Sequence, residues 1–396
     1  MRGWTVIPGR KPRIVFRPGA KERMVEDEVK AHLALLAAVR ELMAMNNLRS
    51  SYSPDSGKFR LSPHSLWTSW AYWPGISIAD MANALKNSIE FMRDNGCRRF
   101  ILVSIDRRDA FNSISYGVLQ RHLKVFVPSI GTALPYGSLS SILAKLANDS
   151  YADNVKFIYD LVRKATICGP GNRLLERIDP VLAKRIIDLK IMVPQRRIRY
   201  LAQGLPWSPF GANIAMGLDC TRILDSTGAK LDGLALIPYN GHVCAHVARY
   251  SDNYTFLLGL SGEFKGRQDK YNEIQSVIID SMFSAIEPFF LYPHVHKANA
   301  MSWDVDENAV FKICGMSFNV SRDRVIVRAS RKVRRRLRAL KHIYEKYGLD
   351  CERYSVMRSI DAWNSVKSCE PRTTWLSTLL GQELGIKWPP KEAKGG

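Results

Sequence analysis

The run Phe100-Ile101-Leu102-Val103-Ser104-Ile105 is apolar at nearly every position and stops at a carboxylate, Asp106. Such a run predicts a buried strand, and an acid at its end faces a site and not the core. A second acid, Asp252, lies in Arg249-Tyr250-Ser251-Asp252-Asn253-Tyr254, flanked by Val243, Val247, Phe256 and Leu257. That pattern predicts a hairpin with the acid in its turn. Two such carboxylates brought together can hold two divalent cations, the arrangement that in-line phosphoryl transfer uses.

The chain has 396 residues, 46% of them hydrophobic, enough for a large core and one to three subdomains. Its 58 Lys and Arg against 37 Asp and Glu leave a formal net charge of +21, far beyond what solubility needs. The usual partner of such a field is a polyphosphate, hence nucleic acid and nucleotides. A generic basic protein or a membrane-surface binder is the alternative. Cys97, Cys168, Cys220, Cys244, Cys314, Cys351 and Cys369 are scattered, with no Cys-x-x-Cys pair. This argues against a disulfide framework and a zinc knuckle. Met1-Arg2-Gly3-Trp4 has no apolar signal core, and no apolar run is long enough to span a bilayer. A soluble, cytoplasmic protein is expected, with no membrane partner.

Residues 1–23 read as strand and turn. Residues 24–46 carry helical spacing, with Val29, Leu33, Leu36, Val39 and Met43 on one stripe. Residues 50–76 are polar and proline-rich and read as a long loop. Ile78 to Asp94 is helical again and stops at Asn95-Gly96. A helix follows the 100–106 strand through Leu119 and Leu123, and 128–195 reads as a largely helical insert of open role. Gly204 to Leu224 is a loop running into a helix, in which Ser208-Pro209 supplies cap and first turn. Val243–Leu260 is a hairpin around Ser251-Asp252-Asn253, and Tyr271–Ile286 is a helix. Phe311–Val327 alternates, with a turn near Arg322-Asp323, and from Arg331 the chain is helical and very basic.

Several strings stand out in this order. They are Asp106-Arg107-Arg108-Asp109-Ala110-Phe111, Gln203-Gly204-Leu205-Pro206-Trp207-Ser208-Pro209-Phe210-Gly211-Ala212-Asn213-Ile214, Tyr250-Ser251-Asp252-Asn253 and Lys312-Ile313-Cys314-Gly315-Met316. Together they resemble the palm of reverse transcriptases, in the bacterial branch of group II intron, retron and defence-associated enzymes. The segments from Arg13 to Val25 and Tyr72-Trp73-Pro74-Gly75-Ile76-Ser77 resemble that family's fingers. The resemblance runs from Lys11 to about Arg338, leaving out the insert. It implies an α+β, right-hand polymerase fold: fingers 1–99, palm 100–127 and 196–327, the helical insert 128–195, and a small helical basic thumb and tail 328–396.

The resemblance also implies roles. Asp106 and Asp252 would bind Mg2+ (or Mn2+), and Asn253 stands where the family has a second Asp. Phe111 would gate against ribose, selecting deoxynucleotides. Lys11, Arg13 and Arg23 would contact the triphosphate and backbone. Gln203 would lie near the nucleotide, with Gly204 approaching the templating pair. Lys297 would protonate the leaving pyrophosphate. Glu26 and Trp73 stand where Gln and Arg would face the template, and Gly315 would approach the primer. Arg328, Arg331, Lys332, Arg334, Arg335, Arg336 and Arg338 would hold a nucleic-acid backbone.

The expected activity is RNA-directed DNA polymerisation, with an RNA template or noncoding RNA, deoxynucleoside triphosphates and a DNA product as partners. A protein partner or second copy stays open. The compact chain looks most like a bacterial antiphage defence enzyme. A retron enzyme is the runner-up, disfavoured by Cys314 and by the absence of an Asn-Ala-x-x-His signature. A degenerate polymerase homologue that only binds nucleic acid is the alternative outside catalysis, and Asn253 is its support.

Overall fold

The structure is a computed structural model. It describes residues 3–9, 11–26, 29–30, 32–34, 36–37, 62–63, 69–72, 78–107, 110–133, 151–233, 243–261, 268–286 and 297–347. The strands among them are β1 (Trp4–Ile7), β2 (Arg13–Phe16), β3 (Ser62–Pro63), β4 (Cys97–Asp106), β5 (Ile167–Cys168) and β6 (Arg199–Tyr200). They continue with β7 (Val243–Tyr250), β8 (Asn253–Ser261), β9 (Lys297–Asp304), β10 (Ala309–Ile313), β11 (Met316–Val320) and β12 (Val325–Ala329). The architecture mixes helices with mainly antiparallel sheets, in keeping with the α+β expectation.

The central sheet has the order β3-β7-β8-β4-β9. Ile101, Val103 and Ile105 of β4 enter one core, with Ile223 of the Asp219–Gly233 helix and Ile274 and Ile278 of the Gln268–Ile286 helix. Phe100 and Leu102 enter another, with Leu85 and Ile89 of the Ile78–Asp94 helix and with Phe311 and Phe318. Both faces of the strand are therefore covered, which is why its sequence shows no clean alternation. Each fully buried side chain of this size contributes about 1.5–3 kcal/mol. Asp106, the last residue of β4, is exposed.

β4 pairs antiparallel with both neighbours, and its register sets Asp106 opposite Asn253 of β8 and Lys297 of β9. The turn between β7 and β8 is Ser251-Asp252 alone; Asn253, expected within the turn, instead opens β8. Ser251 has φ 60°, and a two-residue hairpin loop with positive φ at its first residue twists with its strands.

The hairpin is tied to β4 from beneath. The Arg107 backbone N–H donates to the Asp252 carbonyl at 2.9 Å. The Arg107 side chain is fully buried and faces Asp219 at 3.6 Å, itself accepting from the Tyr254 hydroxyl at 2.5 Å. Arg107 also donates to the Ile286 carbonyl. Burial pushes the Asp219 carboxyl up and the Arg107 guanidinium down, and each charge opposes the other's shift. The hydrogen bonds from Tyr254 to Asp219 and from Arg107 to Ile286 offset part of the desolvation cost, while Asp219 Oδ1 has no hydrogen-bond partner among the described residues.

The Gln203–Ile214 string becomes a loop and the Ser208–Met216 helix, with a correction at its start. Ser208 does not cap that helix. Its buried hydroxyl donates to the Ala202 carbonyl at 2.5 Å, binding the helix to the loop before it, and Pro209 occupies the first turn as expected. Gly204 has φ +102°, and a Cβ there would stand 2.4 Å from the Phe16 carbonyl oxygen. Its missing side chain thus lets the loop dock on β2, where Phe16 N–H donates to Gln203 O at 2.7 Å.

The stripe residues Val29, Leu33 and Leu36 are buried, while Val39 and Met43 lie outside the described residues. Ser62–Pro63, read as loop, pairs parallel with Cys244 and Ala245 of β7. The described part of the 128–195 segment is built into the molecule. Ile158, Leu161 and Val162 of the Tyr151–Ala165 helix share a core with Leu33, Leu119 and Trp207. Leu174, Ile186 and Ile191 share a smaller one with Ile14 of β2. In the β10–β12 sheet, Cys314-Gly315 forms one turn and residues 321–324 the other. Ser330 then opens the Arg331–Lys346 helix, accepting the Val333 N–H at 3.4 Å. No helix among the described residues is long and apolar enough to cross a membrane.

Asp219→Ala should destabilise the protein by about 3–5 kcal/mol, because it leaves the Arg107 charge buried and unpaired. Urea unfolding measures this, and an unchanged midpoint would remove the pair from any supporting role.

Candidate active site

The start of β2, the short helix Ala110–Ser113 and the β7–β8 turn meet around a pocket of about 300 Å³. Lys11, Arg13, Phe111, Gln203 and Asp252 all line it, although 241 positions separate the first from the last. Asp106 stands beside them, across from Asn253. Burial pushes the Asp252 carboxyl up, and the Asp106 charge pushes it further. Hydrogen bonds to Asp252 and the positive charge of Lys11 act the other way. Burial, then Asp252 and Asp106, also raise the Cys314 thiol to about 12, so the turn holding Gly315 lies within electrostatic reach of both acids. This is a crowded negative centre at the rim of a cationic pocket.

The carboxylates fit an oxygen-preferring divalent cation. Two acids whose charges disfavour each other's ionisation are what a cation relieves. The described residues contain no cluster of three or more His, Cys, Asp or Glu. Two carboxylates suit a cation that completes its shell with phosphate and water.

Phe111 serves packing and pocket together. Its half-buried ring rests on the core and meets Tyr72 edge-to-face, with centroids 5.9 Å apart at 69°. The Tyr72 hydroxyl is hydrogen-bonded to Ser251 Oγ, so one side chain braces both the ring and the turn. Tyr72 itself has φ 73°, a conformation that a bulky residue holds only when its surroundings impose it.

Other supports carried weaker signals. Arg249, buried within β7, donates to the Ser251 carbonyl at 3.1 Å, to Ser69 Oγ at 2.5 Å and to Asn213 Oδ1 at 3.2 Å. Asn213 in turn donates to the Ala71 carbonyl at 3.2 Å. An arginine inside a largely apolar strand that also holds His246 is the legible signal; its partners are not legible. Asn112 lines the pocket, only 4% exposed, and its Oδ1 has no hydrogen-bond partner among the described residues. Ile191, from the segment read as an insert, also lines the pocket.

Other expected residues fall elsewhere. Arg23 is exposed on the Ala20–Met24 helix and Glu26 is half-buried just after it; neither lines the pocket. Gly204 packs against β2, so the space beside it is already filled by protein backbone. Lys297 opens β9 opposite Asp106, but its side chain, like Trp73 and Asp109, lies outside the described residues. Gly315 has φ +84° in its turn and accepts the Ser330 N–H at 2.8 Å. Arg328, Arg331, Lys332, Arg334, Arg335, Arg336 and Arg338 all face solvent.

Among solved structures the chain is similar to apo telomerase from Candida tropicalis truncated from its C-terminal domain. The identity is 10%, with 82% of this chain and 54% of that chain covered and a TM-score of 0.41. It is also similar to telomerase from Candida albicans in complex with a TWJ fragment of telomeric RNA. There the identity is 10%, the coverage 94% and 56%, and the TM-score 0.39. The chain spans about half the length of these telomerase chains. No family model and no curated protein matches it.

Proposed function

We propose that the chain is a DNA polymerase of the reverse transcriptase type, joining deoxynucleotides to a primer 3′-hydroxyl. The observation that carries this reading is the β4–β8 register. It sets Asp106 against Asn253, beside the Asp252 turn and the pocket holding Lys11, Arg13, Phe111 and Gln203.

In this reading Lys11 and Arg13 bind the triphosphate of the incoming nucleotide and hold its charge at the pocket wall. Phe111, braced by Tyr72, closes the space a 2′-hydroxyl would need. Gln203 and the unpartnered Asn112 Oδ1 orient the nucleotide by hydrogen bonds. Asp106 and Asp252 would hold Mg2+ or Mn2+, which lowers the charge at the transferring phosphate and activates the primer hydroxyl. Lys297 is assigned the proton for pyrophosphate. Gly315 approaches the primer, Arg23, Glu26 and Trp73 belong to the template side, and the exposed basic helix from Arg331 holds the duplex. The motif strings favour a cytoplasmic bacterial defence enzyme working with a noncoding RNA over a retron enzyme.

One observation favours a second reading, a homologue that binds nucleic acid without catalysis. The Asn253 amide donates to Asp252 Oδ1 at 3.3 Å, competing with a cation for that oxygen.

Primer extension by the full chain with Mg2+ or Mn2+, a primer–template and deoxynucleotides separates the readings. Extension is expected, and Asp106→Asn or Asp252→Asn should lower it by about 100- to 1,000-fold while binding and folding persist. Either variant extending at the wild-type rate would refute the assignment, and tight binding by a wild type that never extends would select the second reading. Phe111→Ala should narrow the preference for a deoxynucleotide over its matched ribonucleotide by at least about tenfold. An unchanged ratio would leave the ring to packing alone.

A further inference from the structure

A larger cleft, of about 650 Å³, opens between β1 and the short helices Arg173–Glu176 and Pro180–Asp188, and none of its lining belongs to the pocket described above. Trp4, Leu174 and Leu182 give it an apolar wall, and Arg173, Arg177 and Arg196 bring three guanidiniums to it. All three arginines are exposed, and among the described residues none is joined to a carboxylate. Asp179 also lines the cleft, but its carboxylate is engaged at a helix start, accepting the Leu182 N–H at 3.0 Å.

The cleft is built and not incidental. Trp4 Nε1–H donates to the Cys168 carbonyl at 2.8 Å, and its ring meets Phe16 edge-on at 6.1 Å. Gly169 and Gly171 donate their N–H groups to the Gln195 and Pro194 carbonyls at 3.2 and 2.9 Å. Gly171 has φ +64°, and a Cβ there would stand 2.5 Å from Arg196 Cγ. The glycine therefore gives the Arg196 stem a bed to lie on. The small core of Ile14, Leu174, Ile186 and Ile191 fixes the wall to the rest of the molecule.

We propose that this cleft is a second nucleic-acid site, which takes one or two nucleotides of a single strand. Guanidiniums hold phosphates, while an indole beside an apolar floor accepts a base by stacking, whatever its identity. An acidic peptide would use the charges but leave that wall without purpose. The proposal does not rest on the polymerase reading, since a chain without catalysis would use the cleft equally.

The test is binding of the full chain to fluorescein-labelled oligo-rU and oligo-dT of equal length across a salt series, with photo-crosslinking from 4-thio-substituted strands. The variant Arg173→Gln/Arg177→Gln/Arg196→Gln alters surface residues only. It is compared with a charge-matched control, Arg98→Gln/Arg322→Gln/Arg324→Gln, exposed on other elements. The cleft variant should lose at least about tenfold in affinity for the preferred strand. Its salt slope should fall by about two, from three lost phosphate contacts, while the control changes less. Crosslinks should fall within residues 3–8 and 169–182. Equal loss in both variants, crosslinks confined to other peptides, or displacement of the strand from the cleft by poly-glutamate at equal charge concentration would each overturn the proposal.

Discussion

Everything at the candidate site depends on the antiparallel pairing of β4 with β8. Strand pairing has a period of two, so a slip of one residue would turn Asp106 from one face of the sheet to the other. Three features resist that slip. The two faces of β4 are buried in different cores, so its odd and even side chains cannot exchange places. Arg107 donates its N–H to the Asp252 carbonyl just past the last paired residue. Its guanidinium is locked to Asp219, which Tyr254 of β8 also binds. The carboxylate positions are thus set by burial on one side of the sheet's end and by a buried ion pair beneath it.

A second constraint joins the β1–β2 ribbon to the end of the central sheet. The loop carrying Gln203 and Gly204 reaches β2 only because Gly204 has no side chain. That contact brings Lys11 and Arg13 to the pocket that Asp252 also lines, and Tyr72 closes the ring by bonding to Ser251 while touching Phe111. Positive groups face Asp252, whose ionisation burial and the Asp106 charge both oppose. The same chain leaves Arg331, Lys332, Arg334, Arg335, Arg336 and Arg338 of the Arg331–Lys346 helix exposed to solvent.

Much of this was legible in the sequence because it depends on local chemistry. The apolar run to Asp106 marked β4, the Ser-Asp pair between apolar segments marked the hairpin, and helical spacing marked Ile78–Asp94 with its stop at Asn95-Gly96. What escaped depends on partners distant in the chain. Ser208 looks like a helix cap by its neighbours, yet its hydroxyl turns back to Ala202 because the helix start is buried. Arg249 and Asn213 meet only once β7 and the Ser208–Met216 helix pack, and Ser62–Pro63 becomes a strand only beside β7. The described part of the 128–195 segment makes contacts that its local sequence does not show: Ile191 reaches the pocket wall, and Leu174 and Ile186 pack with Ile14 of β2.

The proposed catalysis requires that Asp106 and Asp252 form one cation site. X-ray diffraction at the manganese absorption edge tests it, using crystals of the chain grown with Mn2+ and a non-hydrolysable deoxynucleoside triphosphate. Anomalous density is expected between the two carboxylates, with the triphosphate reaching toward Lys11 and Arg13. Manganese and nucleotide bound elsewhere, with no anomalous density at these carboxylates, would contradict it.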